Sequence, residues 1–300
     1  MKYYIKKTIK LISILLMLSG FVMFVSAQPS INQGSTTNFA ILAGSTITNT
    51  GSTTVSGDIG LHPGTSITNS EGITLNGTIH LTDDVAKVAK EDLETVYNQI
   101  NGLLPVTTIA SQLGGQTLLP GIYASDDGAF QITGTLTLNA DGDPDAIFVF
   151  KTASTLITAS NSNVSLINEA QHCNVFWKVG SSATFGTGSY FAGNVYASVS
   201  ATANTGAEIE GKLLAMSGAV TLEANIITNA VCAGTTVPDD ESPTTPTVPG
   251  GEPSNRTTIP GGELPNTALN LYQIMMIGTL LVVLGTTSLV IVRNYAKNKK

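Results

Sequence analysis

The feature that most constrains the fold is a short internal repeat. Residues 184–201 match residues 202–220 at a shift of 18, through Thr184 with Thr202, Thr187 with Thr205, Gly188 with Gly206, Gly193 with Gly211 and Ala197 with Ala215. Near the start, residues 47–49 recur as residues 67–69 at a shift of 20, and Val55, Gly57, Ile59 and Leu61 match Leu75, Gly77, Ile79 and Leu81. A repeat this short does not suit helical pairs or propeller blades, but it is typical of one coil of a β-helix. The chain therefore predicts a parallel β-solenoid. A β-sandwich is the alternative, but it would not show position-matched Thr and Gly at fixed shifts.

Residues 83–102 break this pattern. They place Val85, Ala89, Val96 and Ile100 on one helical stripe, which Val88, Leu93 and Tyr97 widen. Thr82 or Asp83 can cap the start and Gly102 the end. This predicts one amphipathic helix packed along the solenoid, with a partner-binding helix as the alternative.

The first segment and a proline-rich stretch bound the folded body. Residues 1–27 hold four lysines, an apolar run at residues 11–25 and small residues before Ala27, which predicts a secretory signal peptide. An uncleaved membrane anchor is the alternative. Residues 233–263 hold six prolines and no aromatic residue, which predicts a disordered spacer. The folded domain is therefore expected over residues 28–232.

Residues 264–300 resemble the cell-wall sorting signal of Gram-positive surface proteins. They begin with Leu264, Pro265, Asn266, Thr267 and Ala268, continue with an uncharged stretch at residues 269–292, and end with a basic tail. The stretch is long enough for a transmembrane helix with its tail in the cytoplasm. In such signals a sortase cuts after the Thr of Leu-Pro-x-Thr-Gly, and Ala268 replaces the Gly. The resemblance implies sortase, the cell wall and the membrane as partners of a surface-exposed body, with the anchor either cut or retained.

Charge excludes nucleic acid as a partner. Outside the first segment and the tail, six Lys and Arg remain against all 21 Asp and Glu, a net charge of about −15. Phosphate binding needs clustered Lys and Arg instead. The acidic body is expected to be soluble and to repel its neighbours.

The sequence holds no pattern for catalysis or metal binding. The body's basic residues outside the helix, Lys151, Lys178 and Lys212, have no acidic partner in the repeat register. Residues 141–145 resemble a Ca²⁺ loop, but the twelfth position is Thr152 instead of Glu, which favours a turn. We therefore predict that the chain is not an enzyme and has no metal or cofactor. Cys173 and Cys232, the two cysteines, are either a disulfide or two buried free thiols.

Six stretches of the body resemble a known family. They lie at residues 39–51, 55–60, 117–123, 136–139, 143–150 and 173–184. Across residues 38–228 the chain resembles the bacterial ice-binding-like family of β-helical antifreeze and ice-binding proteins. The resemblance implies an all-β, irregular triangular β-helix with a long α-helix alongside. It also implies an ice crystal surface as the ligand of one flat face rich in Thr and small residues.

The family's Thr-Ala/Gly-x-Thr/Asn pattern gives the candidate ice-binding residues. Residues 158–161 and 202–205 fit it, and residues 184–187 fit except at Phe185, which is expected at a corner or in the core. The candidates are Thr158, Asn161, Thr184, Thr187, Thr202 and Thr205. Because residues three apart point to opposite sides of a straight strand, each motif needs a bend to present both residues. Ordinary solvated strand threonines are the alternative at these positions. A surface adhesin that binds a glycan or protein without ice activity is the alternative function.

Overall fold

The computed structural model describes residues 29–229 and residue 232. Within these residues the chain forms 22 β-strands, numbered along the chain, one α-helix and three 3-10 helices. Every strand pairing in the described part is parallel. This confirms the predicted solenoid. The predicted signal peptide, spacer and sorting signal lie outside the described residues. No helix in the described part is long and apolar enough to span a membrane.

Each coil contributes to three faces, and one of them is a separate seven-stranded sheet, sheet B. Its strands are β2 (Thr46–Thr50), β5 (Ser66–Thr68), β11 (Phe130–Ile132), β14 (Leu156–Thr158), β17 (Ala183–Phe185), β19 (Ala201–Ala203) and β21 (Val220–Glu223). The other two faces form one 15-stranded sheet among the described residues. They are continuous because β18 (Tyr190–Ala197) and β20 (Glu208–Ala215) bend from one face to the other. Gly193 and Gly211, paired at the bend, take positive φ, which glycine adopts without strain.

The helix face is the part of the large sheet that the α-helix covers. Besides the ends of the two bent strands it contains β1 (Phe39–Ala43), β4 (Asp58–Leu61), β7 (Ile79–Leu81), β8 (Thr107–Ile109), β10 (Gly121–Ser125), β13 (Phe148–Thr152) and β16 (Val175–Val179). The third face contains β3 (Thr53–Ser56), β6 (Ile73–Asn76), β9 (Thr117–Leu118), β12 (Thr135–Asn139), β15 (Asn163–Ile167) and β22 (Ile226–Thr228). The 3-10 helices are η1 (Gly34–Asn38), η2 (Ser70–Gly72) and η3 (His172–Asn174).

The coils are not stacked in chain order. The first coil pairs with the last, because β2 lies beside β21, β3 beside β22 and β1 beside β20. After β7 the chain enters the helix, and β8 follows at the far end of the strand order. The predicted registers are nevertheless confirmed within each part, with Thr184 opposite Thr202 and Ile47 opposite Ile67.

The helix α1 spans Asp84–Gly102, and Asp83 caps it by accepting a hydrogen bond from the Ala86 amide at 2.8 Å. The predicted stripe is correct for its buried part, which is Ala89, Leu93, Val96 and Ile100, with Ala86 in addition. Val85 and Val88 are instead 49% and 48% exposed. The buried side chains pack on residues of the helix face that point away from the solenoid interior, including Phe39, Leu42, Phe176 and Leu214.

A half-buried lysine, Lys90, and a buried one, Lys212, lie on or under this side of the solenoid. The Lys90 ammonium donates to the backbone carbonyls of Ala215 and Met216, and burial lowers its pKa to about 8. Lys212, on β20, is 4% exposed and donates to the Gln33 side-chain oxygen at 2.6 Å. Burial lowers the pKa of Lys212 to about 7. The N-terminal segment that carries Gln33 therefore covers a charge that is costly to bury.

Candidate functional site

The outer surface of sheet B carries a ladder of threonines. Side chains alternate between the two sides of a strand. A residue whose two neighbours on the strand point into the core therefore points outward. The strand register places one such residue from each strand in a single row. In order along the sheet the row is Gln131, Ile157, Thr184, Thr202, Thr221, Thr48 and Thr68. Five successive coils therefore present a threonine at the same position. We call the outer surface of sheet B the threonine face.

Small and hydroxylated residues flank this row. Two positions before Ile157 and each of the five threonines stand Thr155, Ser182, Ser200, Ala219, Thr46 and Ser66, all of them partly or fully exposed. Adjacent strands are about 4.8 Å apart, so the five threonines span about 19 Å. Along one strand, as between Thr46 and Thr48, outward residues are about 7 Å apart. The result is a two-dimensional array with two regular spacings.

The array is held rigid from beneath. The inward residues Phe130, Leu156, Ala183, Ala201, Val220 and Ile47 are fully or almost fully buried. Phe185 also points inward, so of its two predicted places, a corner or the core, it occupies the core. Its ring centroid lies 4.6 Å from that of Phe191. Because threonine is β-branched, its rotamer is restricted on such a surface. Neither the backbone nor the side chains of the row need to be ordered again when a ligand binds.

The threonine face is almost free of charge. Among the outward residues of the seven described strands, Glu223 at the end of β21 is the one ionisable side chain. Its carboxylate accepts a hydrogen bond from the Thr205 hydroxyl at 3.0 Å. A surface of this kind presents methyl and hydroxyl groups to a ligand at regular positions. It exerts little electrostatic attraction.

Two of the six predicted site residues belong to this row. Thr184 and Thr202 are partly exposed and directly opposite each other. Thr187, Thr205 and Asn161 are exposed but lie beyond the strand ends, in stacked turns at the edge of the face. There the Asn161 amide donates to the Thr187 carbonyl, and the turns pass through left-handed residues such as Gly188 and Gly206. These turns are the bend that the motif required.

Thr158 does not belong to the exposed surface. It is 4% exposed, and its hydroxyl accepts a hydrogen bond from the Gly186 amide at 2.9 Å. Ile157 takes the outward position in this coil and is 45% exposed. The prediction for Thr158 is therefore corrected: its hydroxyl satisfies a backbone amide inside the solenoid.

Three threonines of the row were missed from sequence. Thr48 and Thr68 lie inside the N-terminal repeat, and Thr221 directly follows the second copy of the later repeat, residues 202–220. The two repeats had different lengths and stood far apart in the chain. Only the pairing of Thr48 with Thr221 joins them into one array.

A disulfide lies on the side of the solenoid opposite the threonine face. Cys173 in η3 forms a disulfide with Cys232, with the two Cα atoms 5.6 Å apart. Since η3 connects the third face to the helix face, it lies at the corner that sheet B does not touch. Cys232, the last described residue, is therefore held at this corner. Elsewhere in the described residues, no group of His, Cys, Asp or Glu is arranged to hold a metal ion.

Comparisons with known proteins agree with this geometry. A family model described as "Ice-binding-like" matches residues 41–228. An ice-binding protein of Nostoc sp. (strain HG1) is 43% identical over 199 residues, which are 66% of this chain and 73% of that protein. Ice-binding protein 1 of Shewanella frigidimarina (strain NCIMB 400) is 39% identical over 120 residues, 40% of this chain and 14% of that much longer protein.

Solved structures show the same similarity. The crystal structure of an ice-binding protein from an Antarctic biological consortium superposes with a TM-score of 0.66 at 45% identity, over 68% of this chain and 93% of that one. That of the ice-binding protein from the ascomycete Antarctomyces psychrotrophicus superposes with a TM-score of 0.65 at 38% identity, over 68% of this chain and 100% of that one.

Proposed function

Because the chain belongs to the Ice-binding-like family, we propose that it binds ice crystals through the threonine face. The observation that carries the proposal is the row of five threonines, Thr184, Thr202, Thr221, Thr48 and Thr68, on a nearly uncharged parallel sheet. An ice surface has no charge and no pockets that a protein could recognise. It presents only ordered water. A threonine methyl orders a cage of water, and its hydroxyl anchors that cage to the protein.

Binding on this basis is adsorption. Each water-mediated contact is weak, but many contacts on one rigid array must break together for the protein to leave the crystal. Ice that grows between adsorbed molecules develops a curved front, and further growth becomes less favourable. The proposal needs no catalytic group, metal or cofactor, and we propose that the protein is not an enzyme.

We also propose that the protein acts outside the cell, held at its surface by the C-terminal segment. The residues similar to a secretory signal and a sorting signal support this, with sortase, the cell wall and the membrane as partners. The position of Cys232 supports it further, because this last described residue lies at the corner that sheet B does not touch. The protein would then attach a cell to ice as well as slow the growth of crystals.

Replacing Thr202 by Tyr tests the proposal. Thr202 lies inside the row, between Thr184 and Thr221, so the larger ring should lift the face from the crystal and abolish most of the thermal hysteresis and recrystallisation inhibition. Thr54 is the matched control, because it is an exposed strand threonine on the third face. Thr54→Tyr should keep both activities. Absence of ice activity in the unaltered protein, or equal losses in the two variants, would refute the assignment of this face.

A further inference from the structure

The third face contains a hollow of about 580 Å³ that the proposed ice binding does not use. Polar side chains surround it, among them Asn163, Ser165, His172, Tyr190 and Glu210. It lies on a different side of the solenoid from the threonine face, since it is formed by β15, β18, β20 and η3. A ligand here would leave the threonine row accessible.

Tyr190 lines this hollow with a phenol ring. Its side chain is 37% exposed, and its hydroxyl donates a hydrogen bond to the Glu210 carboxylate on the neighbouring strand. The other carboxylate oxygen of Glu210 lies 3.6 Å from the His172 ring nitrogen Nδ1. Burial and the Glu210 carboxylate together raise the pKa of Tyr190, so the phenol keeps its proton. The aromatic ring is thus fixed in place and partly open to solvent.

The strand register surrounds this ring with hydrogen-bonding groups. Asn163 is directly opposite Tyr190 on one side, and Glu208 is directly opposite on the other. Neighbouring strands are about 4.8 Å apart, so an amide, an aromatic ring and a carboxylate follow one another over about 10 Å. Ser165 and Glu210 add a hydroxyl and a second carboxylate beside them.

A pyranose ring matches this combination of groups. Its axial C–H bonds form an apolar face that packs on an aromatic ring, while its hydroxyls donate to carboxylates and exchange hydrogen bonds with amides. Hydrogen bonds to ionised carboxylates are stronger than those to neutral acceptors. The lining residues include no Lys or Arg, so a glycan with uronic acid groups would be repelled by Glu208 and Glu210.

We propose that this hollow binds a neutral oligosaccharide, with Tyr190 as the stacking platform and Glu210 as a hydroxyl acceptor. The site goes beyond the proposed ice binding and is independent of it. A surface-held protein with both sites would bind ice on one face and a neutral glycan of a cell surface or matrix on another.

Isothermal titration of the full-length chain tests this proposal with the hexasaccharides of N-acetylglucosamine, β-1,4-glucose, β-1,3-glucose and mannose, and with hexagalacturonate as the acidic probe. At least one neutral hexasaccharide should bind, and the acidic one should not. Tyr190→Ala should weaken binding at least about tenfold, or about 1.4 kcal/mol. Tyr190→Phe keeps the ring and should lose less, and Glu210→Gln should fall between the two. Thr74→Ala, an exposed position elsewhere on the third face, is the control that should bind as tightly as the unaltered protein.

Failure of all four neutral hexasaccharides to bind would overturn the proposal. Equal affinity in Tyr190→Ala, or equal binding of hexagalacturonate, would also overturn it. Recrystallisation inhibition measured on the same samples should be unchanged in every variant of this hollow. Because ice activity and glycan binding are measured separately, failure of one proposal can be distinguished from failure of the other.

Discussion

Replacing Lys212 by Met should flatten the pH dependence of the protein's stability. Lys212 is buried on β20 beneath the N-terminal segment, and its ammonium group donates to Gln33. Its pKa is about 7 in the folded protein, against 10.5 for an ordinary lysine. Above pH 7 the folded protein therefore releases a proton that the unfolded chain still binds. The unfolded state then binds more protons, so the free energy of unfolding rises with pH.

The size of this effect follows from the shift. Each pH unit above the folded pKa raises the free energy of unfolding by about 1.36 kcal/mol. Between about pH 6 and pH 9, about two such units lie above the pKa of Lys212, so this residue contributes a rise of about 3 kcal/mol. Lys90, with a pKa of about 8, adds a smaller rise of about 1 kcal/mol in the same range. Lys212→Met should keep only the smaller part. The methionine fills a similar volume without a charge, and Tyr196 still donates to Gln33 at 3.1 Å.

Urea unfolding followed by circular dichroism at several pH values between 6 and 9 measures this difference. Lys87→Met, at an exposed position of α1, is the control and should show the full rise of the unaltered protein. If Lys212→Met still gained about 3 kcal/mol over this range, the buried ammonium would not be the cause, and the reasoning would be refuted.

Three further predictions concern the threonine face and the disulfide. Thr158→Val should lower the free energy of unfolding by about 1–3 kcal/mol, because the Gly186 amide loses its acceptor, while thermal hysteresis stays unchanged; a loss of ice activity at full stability would contradict this. Glu223→Gln should raise thermal hysteresis, because it removes the one charge among the outward residues of the described strands of sheet B while keeping an acceptor for Thr205; lower activity at equal stability would count against it. Cys232→Ser should cost about 4 kcal/mol in denaturant unfolding, since the disulfide closes a loop with a sequence separation of 59 residues; equal midpoints with and without reductant would show that it contributes nothing.

The repeating part of the fold was predictable from the sequence. Matching Thr and Gly at shifts of 18 and 20 fixed which residues lie opposite each other, as Gly193 with Gly211 and Val55 with Leu75. The helix was predictable because its apolar stripe has a different period from the strands. Its edges were not, since Val85 and Val88 are apolar but exposed. The sequence does not reveal how much of the surface of α1 the sheet covers.

The site was only half predictable, for a geometric reason. In the coil of residues 156–158 the outward position falls on Ile157, so Thr158 points inward although its motif matches that of Thr202. A shift of one residue reverses every side chain on a strand, and no local motif reveals such a shift. The missed residues Thr48, Thr68 and Thr221 depend on a contact between distant parts of the chain.

That contact also decides when the threonine face is completed during synthesis. The ribosome makes the strands with Thr48 and Thr68 first and the strand with Thr221 last, although Thr221 lies between Thr48 and Thr202 in the finished row. The early coils must therefore wait with an open strand edge until the final coil emerges and pairs with both sides. Pairing over such a long sequence separation slows folding. A chain cut short after residue 205 would lose the middle of the array instead of an end, and would leave two short rows in place of one continuous one.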